Sequence, residues 1–326
     1  MNQQNIDMGA EVVKMEEALR RLEKREAAVR SKPVQLPIWP MGLVGTPNAL
    51  LRGSLFKVAE YGNKHRDPHV EELIVDVQGE NEVLQIWYTG RSLTQEDLTY
   101  LDAVLYAAGE PDFPSVDVEG APFKAGTAYA YLKVLGREHD SRAYHAFNDS
   151  MLRLRSGHVR IVIQYLKGPK KGIRDIDIGG SLILHAREGS TKTGRHLTAP
   201  HPMLKPLFEP GAYSLVNLRL RMQLRKPLAM WLHAFYSTHA KPVGYSIQKL
   251  RTLCGSRMSN PTMWRKAVRA ALDELKAVGF LKEADIDKHD VAQVERAHEH
   301  VNHKQLSKPK KADKESAVDP RQHSLL

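Results

Sequence analysis

Residues 260–281 read NPTMWRKAVRAALDELKAVGFL. Asn260 is a strong helix-capping residue, Pro261 suits the first helical position, and Gly279 suits the position just past a helix end. Val268, Ala271, Leu272, Leu275 and Val278 recur at helical spacing and form an apolar stripe. Thr262, Arg265, Lys266 and Arg269 fall on the other side, towards the N-terminal half. A helix with a buried stripe and a basic N-terminal face is what a major-groove recognition helix requires.

The flanking sequence extends this unit. Upstream, a helix begins near Pro227, with Leu228, Trp231, Leu232 and Phe235 on its buried side, and Ser246–Cys254 is a short second helix closed by Gly255. Downstream, Phe280–Ala284 and Ala292–Glu295 are predicted strands turned at Asp287–Asp290. Trp231, Phe235 and Tyr236 have the spacing of core residues rather than of a base-stacking platform. For Trp264, beside Arg265, both packing and stacking stay open.

The same order is written once before. Val83–Thr89 is β-rich and ends at Gly90, and Thr94 caps a helix running to Ala108. Pro111–Pro122 reads as a loop, Gly126–Leu135 as a helix stopped by Gly136, and Ser141 as the cap of the next helix. That helix buries Tyr144, Phe147, Met151 and Leu154 and presents Arg142, His145, Asp149 and Arg153, with Asn148 nearby. After Gly157 the period changes to two, with Val159, Ile161 and Ile163 on one face. A basic turn at Pro169–Gly172, a strand at Ser181–His185, a polar turn at Thr191–Gly194 and a strand at Arg195–Ala199 follow.

Three helices and a β-hairpin, written twice, predict an α+β chain with two tandem winged-helix domains. The expected boundaries are 1–48 for an N-terminal helix (9–30) and Pro-rich linker, 49–208 for the first domain, 209–297 for the second, and 298–326 for a basic, disordered tail carrying KPKK. No fixed-period solenoid repeat is present.

Charge follows the same division. The 326 residues carry a net charge of +10, but residues 60–120 hold three Lys/Arg against 14 acids, a balance of −11. Residues 217–282 hold 13 against two (+11), and residues 132–195 hold 13 against six (+7). Two basic blocks point to a phosphate-backbone partner, with a solvated basic surface as the alternative. The acidic stretch suits protein contacts or self-association. On this basis the expected base-reading residues are Arg142, His145, Asn148 and Arg153 in the first module, and Asn260, Thr262, Arg265, Lys266 and Arg269 in the second. Lys167, Lys170, Lys171, Arg174, Lys192 and Arg195 are expected on phosphate.

Signals for chemistry are poor. GSTKTG (189–194) lacks the spacing of a phosphate loop, and HEHVNH (298–303) is not H-E-x-x-H. His233 and His239 lie on an apolar helix. The one cysteine, Cys254, excludes an intramolecular disulfide framework and reads as a buried, inert thiol. No nucleophile–base pair emerges, so the expectation is a non-enzyme without cofactor or metal. No secretory signal or membrane span is read, and a reducing cytoplasm is the expected home.

Several stretches in order resemble TrfA-type plasmid replication initiators: LPIWP (36–40), IWYTG (86–90), LTQEDL (93–98), SLILHAR (181–187), LFEPGAYS (207–214), LAMWLHAFYSTHAKP (228–242), LCGS (253–256) and WRKAVRAALDELKAVGFL (264–281). The resemblance spans roughly residues 36–296. It implies a bacterial, plasmid-associated initiator that binds double-stranded origin iterons and helps open an adjacent A+T-rich segment, where single-stranded DNA becomes a further partner. It also implies recruitment of host DnaA, the replicative helicase and the sliding clamp, with homodimers in equilibrium with DNA-binding monomers. Some members carry a clamp-binding peptide just before the tryptophan–proline motif, and Gln35, Leu36, Ile38 and Trp39 imitate it, with docking of the linker onto the first module as the alternative. Outside the resemblance, the competing function is a winged-helix repressor on a palindromic operator.

Overall fold

A computed structural model describes residues 36, 39–40, 42–58, 69–79, 82–118, 121–165, 176–190, 193–209 and 211–297. In the first part lie β1 (Leu43–Pro47), α1 (Asn48–Leu51), β2 (Phe56–Lys57), β3 (His69–Gly79), β4 (Glu82–Gly90), β5 (Leu93–Thr94), α2 (Gln95–Gly109), β6 (Ser115–Val118), β7 (Ala121–Thr127), α3 (Ala128–Val134), α4 (Ser141–Ser156), β8 (His158–Tyr165), β9 (Ile176–Gly180), β10 (Ile183–Glu188) and β11 (Arg195–Pro200). After a 3-10 turn at Pro202–Phe208 come β12 (Tyr213–Asn217), α5 (Leu218–Gln223), α6 (Pro227–Ser237), β13 (Tyr245–Ser246), α7 (Ile247–Leu253), α8 (Pro261–Ala277), β14 (Leu281–Ile286) and β15 (Val291–Arg296). The class is mixed α+β, with small sheets around helices.

Helix α2 starts where Thr94 stands. The Thr94 backbone N–H donates to Asp97 Oδ2 at 2.8 Å, half of a capping box. The other oxygen of Asp97 accepts from Ser150 Oγ at 2.6 Å and from Arg153 Nε at 2.9 Å. One buried carboxylate thus caps α2 and holds α4 against it. Tyr131 on α3 stacks on Phe147 of α4 at 5.3 Å and shares a hydrogen bond with Thr198 of β11. These contacts gather α2, α3 and α4 into one core.

The strands around this core are richer than the sequence predicts. Strands β8 and β9 pair antiparallel and are extended into a four-stranded sheet, β3-β4-β8-β9. A second sheet runs β10-β11-β7-β6. Part of the loop read over 111–122 is therefore β6, whose alternating Ser-Val-Asp-Val pairs with β7. The helix read from Gly126 begins at Ala128, because residues 121–127 are strand and Thr127 supplies the cap. Asp140, one residue before Ser141, caps α4 by accepting from the Ala143 N–H at 2.7 Å; both residue types make good caps, and Asp140 has the extended backbone a cap needs. The stretch read as linker up to residue 48 contains β1, which pairs with β12 from Leu43↔Asn217 to Pro47↔Tyr213.

The second unit follows the sequence closely. Pro227 opens α6, Ser246 caps α7, and Asn260 caps α8 by accepting from Met263 N–H at 3.0 Å. Gly279 takes a left-handed φ of +73° and ends α8. Strands β14 and β15 pair antiparallel, and β13 adds a short third strand that the sequence does not announce. The hairpin turn is tight: Asp287 Oδ1 accepts from the His289 and Val291 amides, and Asp290 takes φ +59°, a conformation aspartate tolerates.

Two apolar cores result, one reaching from Trp39 to Leu218 plus Ala234, the other from Leu224 to Ala292. They meet at α6, where every residue from Leu228 to Ser237 is buried. Arg221 clasps the junction. Its fully buried guanidinium donates to Thr99 Oγ1, to the Gln95 carbonyl and side chain, and to the Met230 carbonyl, and lies 3.9 Å from Asp102. Burial pushes the Asp102 carboxyl up to about 6 against the pull of Arg221. Among the described residues no helix is long and apolar enough to cross a membrane.

Candidate nucleic-acid interface

Helices α4 and α8 each present one exposed face. On α4, Arg142, His145, Asp149, Leu152, Arg155 and Ser156 are exposed, while Ala146, Phe147, Ser150, Met151 and Leu154 are buried. On α8, Thr262, Met263, Lys266, Arg269 and Asp273 are exposed, while Trp264, Val268, Ala271, Leu272 and Leu275 are buried. Each helix packs by one stripe and leaves the opposite one to solvent, as its periodicity requires. Trp264 is settled as core: it is buried, and its Nε1 donates to the Ile247 carbonyl at 2.7 Å. Trp231 and Phe235 are likewise core, stacked at 4.8 Å.

The expected base-reading residues divide. Arg142 and His145 stand exposed on α4. Asn148 is half-buried; its Nδ2 donates to Tyr144 carbonyl at 2.7 Å and its Oδ1 accepts from Arg187 at 3.1 Å, so its amide is used within the protein. Arg153 is a correction. It is buried, with Nη2 at 2.7 Å from the fully buried Asp97, because the helix turn that carries it faces α2.

On α8, Thr262 and Lys266 are exposed, and Asn260 uses its side-chain oxygen as the cap. Arg265 turns away from the open face. Its Nη2 donates to the carbonyls of Ile286 and Asp287 at 3.1 Å each, and its Nη1 pairs with Asp290. Arg265 therefore ties the hairpin turn to the helix instead of reaching outward. Arg269 remains largely exposed with Asp285 at 3.5 Å.

Arg195 is exposed at the start of β11. Lys167, Lys170, Lys171, Arg174 and Lys192 lie outside the described residues, as do the 9–30 helix, the histidine cluster at 298–303 and the tail. Of the clamp-like set, Gln35 and Ile38 also lie outside. Trp39 is buried, packed edge-on to Tyr213 at 5.5 Å, and a Cβ at Gly45 would stand 2.3 Å from its ring. Leu36 packs against the same core. The alternative of linker docking is what the structure shows for these two residues, because a tryptophan enclosed by the first core has no face left for a partner.

Sequence reasoning passed over several exposed residues. Arg155 and Leu152 share the outer side of α4, and Arg257, Met258 and Met263 surround the start of α8. Lys288 and His289 stand at the tip of the second hairpin. The Asp-x-x-Asp spacing at 287–290 was the signal that puts the two residues between at a turn's apex.

The buried titratable groups serve packing. His233 is fully buried and held down to about 3 by desolvation and by Arg221 and Arg296. His185 and His196 stack with their ring nitrogens 3.0 Å apart, both lowered to about 4, chiefly by burial. Burial pushes the Cys254 thiol up to about 12, which keeps it protonated and unreactive. Among the described residues, no group of three His, Cys, Asp or Glu could hold a metal ion.

Residues 208–296, from the segment before β12 to the end of β15, match the TrfA protein family, so the resemblance read from the sequence holds over the second unit. No curated protein sequence matches the chain. Among solved structures, the chain is similar to domains 2 and 3 of RctB, with TM-score 0.45 and 11% identity over 76% of this chain and 98% of that one. A second structure of RctB domains 2–3 gives 0.44 and 12% over 72% and 92%. The Pi initiator protein in complex with iteron DNA gives 0.42 and 12% over 63% and 95%.

Proposed function

We propose that this protein is a plasmid replication initiator that binds iterons at an origin through two winged-helix modules. The observation that carries this reading is the family match over residues 208–296, a stretch whose helix α8 offers an exposed face with Thr262, Lys266 and Arg269. In the first module α4 takes the corresponding place with Arg142, His145 and Arg155. The hairpin tip with Lys288, and Arg195, contact phosphate. Base contacts come from α4 and α8 in successive major grooves, and the buried Arg221 clasp sets how the two helices are spaced.

On the same reading the protein has no catalytic activity of its own. It bends or strains an adjacent A+T-rich segment, hands the single strands to host DnaA and the replicative helicase, and exchanges between a dimer and a DNA-binding monomer. Contact with the sliding clamp uses a surface other than Trp39, which is buried.

The test is autonomous replication. A plasmid carrying this gene with its neighbouring repeats as the sole origin is expected to replicate in a bacterial host, and to fail when the repeats are scrambled. Replication independent of the repeats, or specific binding to a palindromic operator alone, would overturn the initiator reading in favour of a repressor.

A further inference from the structure

We propose that Met263 reads a thymine methyl group and is a specificity-determining residue of the second module. The inference rests on α8 being the helix that enters the major groove. Met263 is the third residue of α8 and is 52% exposed. Its backbone N–H is held by Asn260 Oδ1, so the helix start that carries it is fixed. The neighbouring Trp264 is locked into the core through Ile247, so it offers no competing surface. Met258, in the turn before the helix, is also exposed, at 39%. The turn itself is held by Arg251, whose Nη1 donates to the Met258 carbonyl at 3.1 Å.

The surroundings decide what an exposed methionine here would touch. From Cys254 to Leu272 the sequence holds four cations and no acid; two of them, Arg265 and Arg269, face Asp290 and Asp285 of the hairpin, and the other two are Arg257 and Lys266. Lys266 is exposed one turn along the helix from Met263, and Arg257 is exposed in the segment leading into the helix. A protein partner with a plain apolar patch would strip water from these charges without replacing it. A duplex meets both needs, because phosphates receive the cations while the thymine C5-methyl is the one apolar group on the floor of the major groove. Methionine suits the contact, being unbranched, polarisable and adaptable in rotamer.

The experiment uses the full chain. A preferred duplex is selected from a random-sequence pool, then remade with deoxyuridine replacing each thymidine in turn, which removes only the methyl group. Dissociation constants are compared at one salt concentration. Wild type is expected to bind about fourfold more weakly when the contacted methyl is removed, the effect of losing one buried methyl group. Met263→Ala should lose a similar factor on the thymidine duplex and no longer distinguish the two bases at that position. Met263→Leu should keep the thymidine preference. Equal binding of wild type to every deoxyuridine duplex, or an undiminished thymidine preference in Met263→Ala, would overturn the inference while leaving DNA recognition intact. Failure to select any sequence from the pool would instead overturn the groove-binding role of α8 and this inference with it.

Discussion

Arg153 Nη2 lies 2.7 Å from Asp97 Oδ1, and neither group has more than marginal access to water. A charged pair of this kind is a fastening between α2 and α4, not an outward contact. Removing one partner strands the other in the interior, which costs about 3–5 kcal/mol. Arg153→Ala is therefore expected to lower unfolding stability by about 3 kcal/mol in urea titration. An unchanged melt with lost DNA affinity would return Arg153 to the base-reading set.

Trp39 predicts a comparable effect. Its ring fills the space against Tyr213 and Gly45, so Trp39→Ala should cost about 3–5 kcal/mol. A clamp-binding role would instead leave stability untouched and abolish clamp pull-down. Denaturant melts beside the pull-down separate the two.

Arg265 distributes its guanidinium over two carbonyls and Asp290, geometry that a planar fork satisfies and an ammonium does not. Arg265→Lys and Arg265→Ala are both expected to loosen the hairpin turn, with faster amide exchange at His289 and Val291 and a global loss of about 1 kcal/mol. DNA affinity should fall alike for all sequences. A loss confined to one base position would show that Arg265 reaches a base edge.

Lys266 behaves differently, because it is exposed on the open face of α8. Lys266→Ala should leave the melting curve unchanged and reduce the slope of log affinity against log salt by about 1 if it lies on a phosphate. A titration of binding from low to moderate salt reads this directly.

The sequence made the second unit legible almost residue by residue, since the Asn-Pro start, the Gly279 stop and the Val268–Leu275 stripe are local signals that the packing obeys. The first unit was less legible. Among the described residues strand β6 is an edge strand held only by the adjacent β7, and β7 in turn leans on a partner far along the chain, Thr198 of β11 standing opposite its Lys124. Side-chain direction within the helices was harder still. Arg153 and Arg142 are the same residue type on one helix, and only the buried carboxylate of Asp97 distinguishes them. The exposure of Met258 and Met263 is not legible in the sequence, because an uncharged apolar side chain gives no local sign of which way it faces.

Acid should weaken the fold through its buried histidines. His233 has a folded-state value near 3, below its ordinary 6.5. Between these values the unfolded chain binds a proton that the folded chain refuses. Stability is therefore retained above about 6.5 and lost as pH falls towards 3, at up to about 1.4 kcal/mol per pH unit for one proton. His185 and His196 act in the same direction down to about 4. Asp102, raised to about 6, opposes them, since its protonation favours the folded state between about 6 and 3.8. His233→Leu should narrow its stability difference from wild type, or reverse it in the variant's favour, as pH drops from 7 to 4. A difference that stays constant over this range would show that His233 does not titrate between the two states.

The pairing of β1 with β12 also sets an order of events during synthesis. Leu43 must wait for Asn217, and Trp39 for Tyr213. A ribosome adding about 5–20 residues per second needs on the order of ten seconds to deliver the second strand after the first. Until then the chain's leading segment lacks its strand partner, and the first core stands open to chaperones or to a neighbouring nascent copy. Only when the segment leading into α6 emerges does the N-terminal unit close, so its completion is timed by the beginning of the unit that follows it.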